Sequence, residues 1–200
     1  LEMQERMSDV DDDVLGVLLR ALGGAMPAMP GFSGNGIPET RSQQLFVVAG
    51  VAAYCAWRER RRSWWWVSGL FLYISVDETV GFHEAVGLWL ARRIAVPFFP
   101  RGAVQLWLLA FLPLIGFAVW YFGKFLSKDF KGRRGPRVLA WAGLAIWLEA
   151  LLIESGWVFR YTPLAIRVGW EEVLEMVGAT CFLLAFLQYA VSLGRRGPAA

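Results

Sequence analysis

The sequence predicts an all-α polytopic membrane protein, a helical bundle of about five transmembrane helices with its N-terminus outside and its C-terminus cytoplasmic. Three observations carry that expectation. Apolar residues make up 56% of the chain and charged residues only 18%, with a mean hydropathy of +0.44, whereas a water-soluble domain averages about 25% charge and 45–50% apolar residues. Apolar runs recur at lengths near the roughly 20 residues that a spanning helix needs. Eleven tryptophans sit in 200 residues, and indole rings prefer the membrane–water interface. Together these exclude a disordered chain and argue against a soluble globular enzyme. Cys55 and Cys181 both lie inside apolar runs, so neither a disulfide framework nor a cysteine-based zinc site is expected. The sequence contains no glycine-rich phosphate loop, zinc-finger spacing or nucleophile elbow, which leaves nucleotide and nucleic-acid partners without a motif.

Residues 1–40 read as an extracytoplasmic segment. Asp9, Asp11, Asp12 and Asp13 precede the short apolar stretch Val14 to Leu22, where acidic residues suit a helix N-terminus. An amphipathic helix over 9–22 and a Gly/Pro linker follow from that pattern, and the acidic start is unlike the positive n-region of a signal peptide. Residues 41–194 form the transmembrane domain and 195–200 a cytoplasmic tail. The first span covers about Gln43 to Trp57. It is short, with Arg58 placed to snorkel. The second starts at Ser63, is interrupted by Asp77, Glu78, His83 and Glu84, and returns to apolar residues up to Ala91. The third, Val104 to Gly123, carries no charge and has Pro113 as a kink. The fourth runs from about Val138 to Phe159 and contains Glu149 and Glu154. The fifth is uncharged from Met176 to Leu193 and starts near Trp170.

Orientation follows from the basic residues, which favour cytoplasmic loops. Twelve Lys and Arg fall in the 58–62 and 124–137 connections and the tail, against five in the opposite loops. The twelve mark the cytoplasmic side of a bacterial cytoplasmic (inner) membrane.

The chemistry-bearing feature is a set of eight carboxylates with the single histidine: Asp77, Glu78, His83, Glu84, Glu149, Glu154, Glu171, Glu172 and Glu175. Ionisable groups in a bilayer are costly and face a protein interior or a watery cavity. At 1.5 Å per residue, Asp77 lies about 21 Å and His83 about 30 Å from the inner face, with Glu149 about 16 Å and Glu154 about 24 Å in. The fifth helix enters from outside, so all three helices place their acids in the outer half. Asp77 and Glu84 share one face, as do Glu171 and Glu175, and Gly81 and Ala85 allow close packing. A polar pocket between spans two, four and five follows, with the third span on the lipid side. Glu149, the deepest acid of its helix, is expected to be protonated or cation-bound.

Carboxylates packed in low dielectric cannot all stay ionised, so either protons or a cation must neutralise them. An oxygen-rich set with one imidazole suits Mn²⁺, Fe²⁺, Mg²⁺ or Ca²⁺. The expected metal ligands are Asp77, Glu78, His83, Glu84, Glu149, Glu154 and Glu175. The absence of a Glu-x-x-His pair makes a di-iron site a poor fit. Ion pairs with Arg92, Arg93, Arg160 and Arg167 are the competing explanation for the outermost acids Glu84, Glu171 and Glu172.

Asp77-Glu78-x-x-x-x-His83-Glu84 in a hydrophobic helix, with Glu171-Glu172-x-Leu174-Glu175-Met176-x-Gly178 opening the last one, resembles a pattern in uncharacterised bacterial multi-pass membrane proteins. The resemblance covers spans two to five and implies a five-span fold with no assigned activity. A looser similarity to membrane metallohydrolases of the alkaline ceramidase type fails where their chemistry needs several histidines, since only His83 is present. Two functional expectations result. In the first, the pocket binds a divalent cation or protons and supports membrane-embedded chemistry or transport. In the second, the chain is a non-catalytic accessory subunit of a larger respiratory or photosynthetic membrane complex, with membrane-protein partner subunits and structural acids.

Overall fold

The structure, a computed structural model, describes residues 37–94, 106–155 and 164–194. These residues form α1 (Ile37–Glu59), α2 (Arg62–Val80), α3 (Phe82–Ala91), α4 (Trp107–Asp129), α5 (Arg134–Glu154) and α6 (Leu164–Gly194), with no strand among them. The all-helical expectation therefore holds. The amphipathic helix expected over 9–22 and the tail 195–200 lie outside the described residues. Among the described residues three helices are long and apolar enough to cross a membrane: α4, α5 and residues 166–194 of α6.

Each helix begins or ends for a local reason. Helix α1 starts six residues before the expected span, because Pro38 suits a first turn, where its missing N–H leaves no bond unmade. The second expected span is not one continuous helix. Gly81 takes a left-handed conformation (φ 67°) that ends α2, donates its N–H to the Asp77 carbonyl at 2.7 Å, and opens α3. Glycine pays no steric penalty there. Gly132 (φ 82°) takes a left-handed conformation in the turn between α4 and α5.

The core is an aromatic ladder at the end of the bundle where α1 meets α2 and α4 meets α5. Trp64 is fully buried, with Tyr189 at 4.7 Å, Phe125 at 4.8 Å and Phe186 at 5.2 Å between ring centroids. The ladder continues through Phe71 and Phe182, 5.2 Å apart, to Trp147, whose ring lies 5.3 Å from Phe182. Tilted and edge-to-face rings of this kind add to the burial of apolar area. Ala49, Ala52 and Ala56 line the buried face of α1, and Ser68 and Ser75 of α2 donate hydroxyls to the Ala49 and Ser42 carbonyls at 2.8 and 2.7 Å.

Helices α5 and α6 pack closely through facing glycines. A Cβ on Gly143 would stand 3.0 Å from the Gly178 carbonyl oxygen, and one on Gly178 would run into the Trp147 indole ring. Small residues at such crossings let backbones approach. Helix α4 contributes only its C-terminal part to the core, through Phe122, Phe125 and Leu126, while Leu112, Leu114 and Phe117 face outward.

Gly178→Ala should destabilise the protein by about 1–3 kcal/mol, the usual cost of overpacking. Gly116→Ala, with nothing within 4 Å of the added Cβ, should be neutral or stabilise by up to about 1 kcal/mol. Thermal unfolding in detergent reads both.

Candidate functional site

At the end opposite the aromatic ladder the polar residues of all six helices meet. Arg41 is the centre of the arrangement. It stands one turn into α1, and its guanidinium forms ion pairs with Glu78 of α2 and Glu175 of α6. All three side chains are largely buried. A buried charge must be paired and hydrogen-bonded to be tolerated, and here one guanidinium serves two carboxylates.

The break at Gly81 builds the second group. Because α3 restarts there, the His83 backbone N–H points back to Asp77 and donates to its Oδ1 at 3.1 Å. The imidazole Nδ1 meets Asp77 Oδ2 at 2.5 Å. One carboxylate thus caps the new helix and holds the ring. With Nδ1 directed at the Asp77 carboxylate, Nε2 is the ring nitrogen that this pairing does not use. Trp107, in the first turn of α4, lies against that ring with centroids 4.8 Å apart. Its indole N–H donates to Glu154 Oε1 at 2.9 Å.

The third group is a carboxylate triad. Glu154, the last residue of α5, and Glu171 and Glu175, one turn apart on α6, each offer an oxygen within 4.8 Å of the others. The triad can hold a metal ion. The close α5–α6 crossing positions it, and the Trp147 indole N–H donates to the Glu175 carbonyl at 3.0 Å, tying α5 to the same turn. Below it, Gln44 of α1 donates to Thr180 Oγ1 of α6 at 3.2 Å.

The expected ligand set is divided by this geometry. Glu154 and Glu175 come together, joined by Glu171. Asp77 pairs with His83, and Glu78 pairs with Arg41, so neither stands in the triad. Glu84 and Glu149 are exposed. The expectation that Glu149 converges with Asp77 and Glu78 in an enclosed pocket is corrected: it lies about 140° around α5 from Glu154, on the outward face. The helical phase turns it away from the triad. Two residues are additions. Trp107 reads in the sequence as an interfacial aromatic, and nothing local marks it as a hydrogen-bond donor to an acid on another helix. Arg41 falls just before the first apolar run. Its signal is Pro38-Glu39, a proline and an acid that suit a first helical turn and so place Arg41 inside the helix.

Arg41→Met leaves Glu78 and Glu175 buried without their cation and should cost about 3–5 kcal/mol. Adding Glu78→Gln and Glu175→Gln to that variant should restore most of the loss. Chemical or thermal unfolding of the three proteins in detergent checks the cycle.

No curated protein and no solved structure matches the chain. The family model of a domain of unknown function, DUF8692, matches residues 14–190 and so takes in every group of this site. The chain belongs to the DUF8692 family.

Proposed function

We propose that the protein is a multi-pass protein of a bacterial cytoplasmic membrane, with five spans and its N-terminus outside. In this reading Glu154, Glu171 and Glu175 bind a divalent cation in the outer half of the bilayer and support membrane-embedded chemistry or transport. The observation that carries the reading is the approach of three carboxylates from two helices to within 4.8 Å of one another. Three such groups in low dielectric cannot all remain ionised unaided. Arg41 pairs with Glu175 and Glu78, and in this reading a divalent cation balances the remaining charge of the triad. All-oxygen ligands suit Mn²⁺, Fe²⁺, Mg²⁺ or Ca²⁺. The Asp77–His83 pair lies against Trp107, and Trp107 holds the Glu154 carboxylate by its indole N–H.

A second reading has its own support. Arg41 is closed on Glu78 and Glu175, and Asp77 is closed on His83, as expected of an accessory subunit whose acids are structural and whose outer surface carries the contacts to membrane-protein partners.

Protein stripped with chelator should gain stability on addition of one of the four cations, by about 2.7 kcal/mol at a hundredfold excess over Kd. Glu154→Gln and Glu171→Gln should abolish the gain, and Glu149→Gln should keep it. The cation reading falls if metal analysis of the purified protein finds none and no cation shifts the unfolding curve. For topology, a cysteine at residue 35 should react with an impermeant thiol reagent in intact cells and one at residue 130 should not. The reverse pattern inverts the orientation.

A further inference from the structure

We propose that the end of the bundle opposite the carboxylates is a binding surface for anionic phospholipid headgroups. The proposal rests on the reading of the chain as membrane-spanning and is independent of the cation site. Its starting point is how the charges at this end are arranged. The turn from α1 to α2 and the turn from α4 to α5 are both rich in Arg and Lys, and like charges on neighbouring turns repel. They are nevertheless fastened together. Arg61 of the first turn donates to Asp129 Oδ1 of the second at 2.7 Å and also faces Glu59 at 3.4 Å. Arg133 of the second turn reaches Glu59 at 3.9 Å and stacks on the Tyr189 ring at 3.7 Å. Asp129 holds the Arg61 guanidinium above its ordinary pKa by accepting that hydrogen bond.

Glu59 and Asp129 are the acids of these two turns among the described residues, and both carboxylates are turned inward, with side chains only 16% and 2% exposed. Their charge is spent on Arg61 and Arg133. Arg60, Arg62, Lys128, Lys131 and Arg134 remain exposed on the two fastened turns, with no acid among the described residues of those turns left to neutralise them. Arg60 even occupies a left-handed conformation (φ 52°), which costs roughly 1–2 kcal/mol for a side chain other than glycine. The sequence thus places a cation where a turn prefers glycine. Next to this surface, Trp65 and Trp66 of the first turn of α2 are 53% and 70% exposed, and Lys124 lies 4.0 Å over the exposed Trp120 ring. Exposed indoles beside unneutralised cations match a headgroup layer, which offers phosphate to the cations and an interface to the rings. A soluble anion would satisfy the cations but would leave the indoles uncovered.

The test uses the full chain in nanodiscs of phosphatidylcholine, alone or mixed with phosphatidylglycerol. The protein should be more heat-stable in the mixed discs and should retain phosphatidylglycerol selectively when native mass spectrometry strips its lipids. High salt should erase the preference. In R60Q/R62Q/K128Q/K131Q/R134Q the enrichment should fall by about fivefold for each cation that engages a headgroup, equivalent to about 1 kcal/mol per charge at an anionic surface. Should that variant fail to fold, R60Q/K131Q carries the same comparison, and exchanging the three arginines for lysine should leave the preference in place. Equal stability in both discs with no enrichment overturns the proposal. So does inorganic phosphate stabilising protein in neutral discs as well as phosphatidylglycerol does, because the surface would then be a free-anion site. Failure to enter discs of either kind overturns the membrane reading and this proposal with it, while insertion without lipid preference overturns this proposal alone.

Discussion

Arg41 sits where α1, α2 and α6 converge, and its two ion pairs set the terms for the surrounding structure. A guanidinium with buried carboxylates on either side holds three helices at a common depth, because moving any one of them leaves a charge without its counter-charge in a medium that solvates it poorly. Glu175 is fixed from one side by Arg41 and from the other by the Trp147 indole donating to its backbone carbonyl. Glu171, one turn away, and Glu154, at the end of the closely packed α5, then have their positions decided by helix geometry. The triad is thus a consequence of the same packing that pairs Arg41.

The bundle separates its work along its length. One end is dry and aromatic, with Trp64 in contact with rings from α4, α6 and the turn before α5. The other end is polar and holds the Arg41 ion pairs, the Asp77–His83 pair and the carboxylate triad. The facing glycines Gly143 and Gly178 lie between the two, and they bring α5 and α6 near enough for both the Trp147–Phe182 contact and the carboxylate triad. Overpacking that crossing would be felt in both directions.

The charges at the two ends are handled by one rule with opposite outcomes. At the polar end, Arg41 is buried together with Glu78 and Glu175, beside the carboxylates of Glu154 and Glu171. At the aromatic end, the acids Glu59 and Asp129 turn inward and leave an excess of exposed positive charge. The Asp77–His83 pair is closed on itself except at Nε2.

Much of this was legible in the sequence by itself. Composition and apolar run length determined the helical class, because a chain with so little charge and so many indoles has few ways to meet water. Glu171 and Glu175 were legible as one face because a helix repeats every 3.6 residues. Only the tertiary structure decided which acids meet. Glu149 and Glu154 lie in the same span, yet rotation about the helix axis turns one outward and the other into the triad, and that rotation is set by the Gly143–Gly178 crossing with α6. The helix break at Gly81 was equally invisible, since an uncapped glycine in an apolar run reads as a packing residue until Asp77 is seen to hold His83 across it. Arg41 lay at the edge of a predicted span, and its role arises only where three chain segments far apart in sequence meet, a long-range pairing that no local pattern encodes.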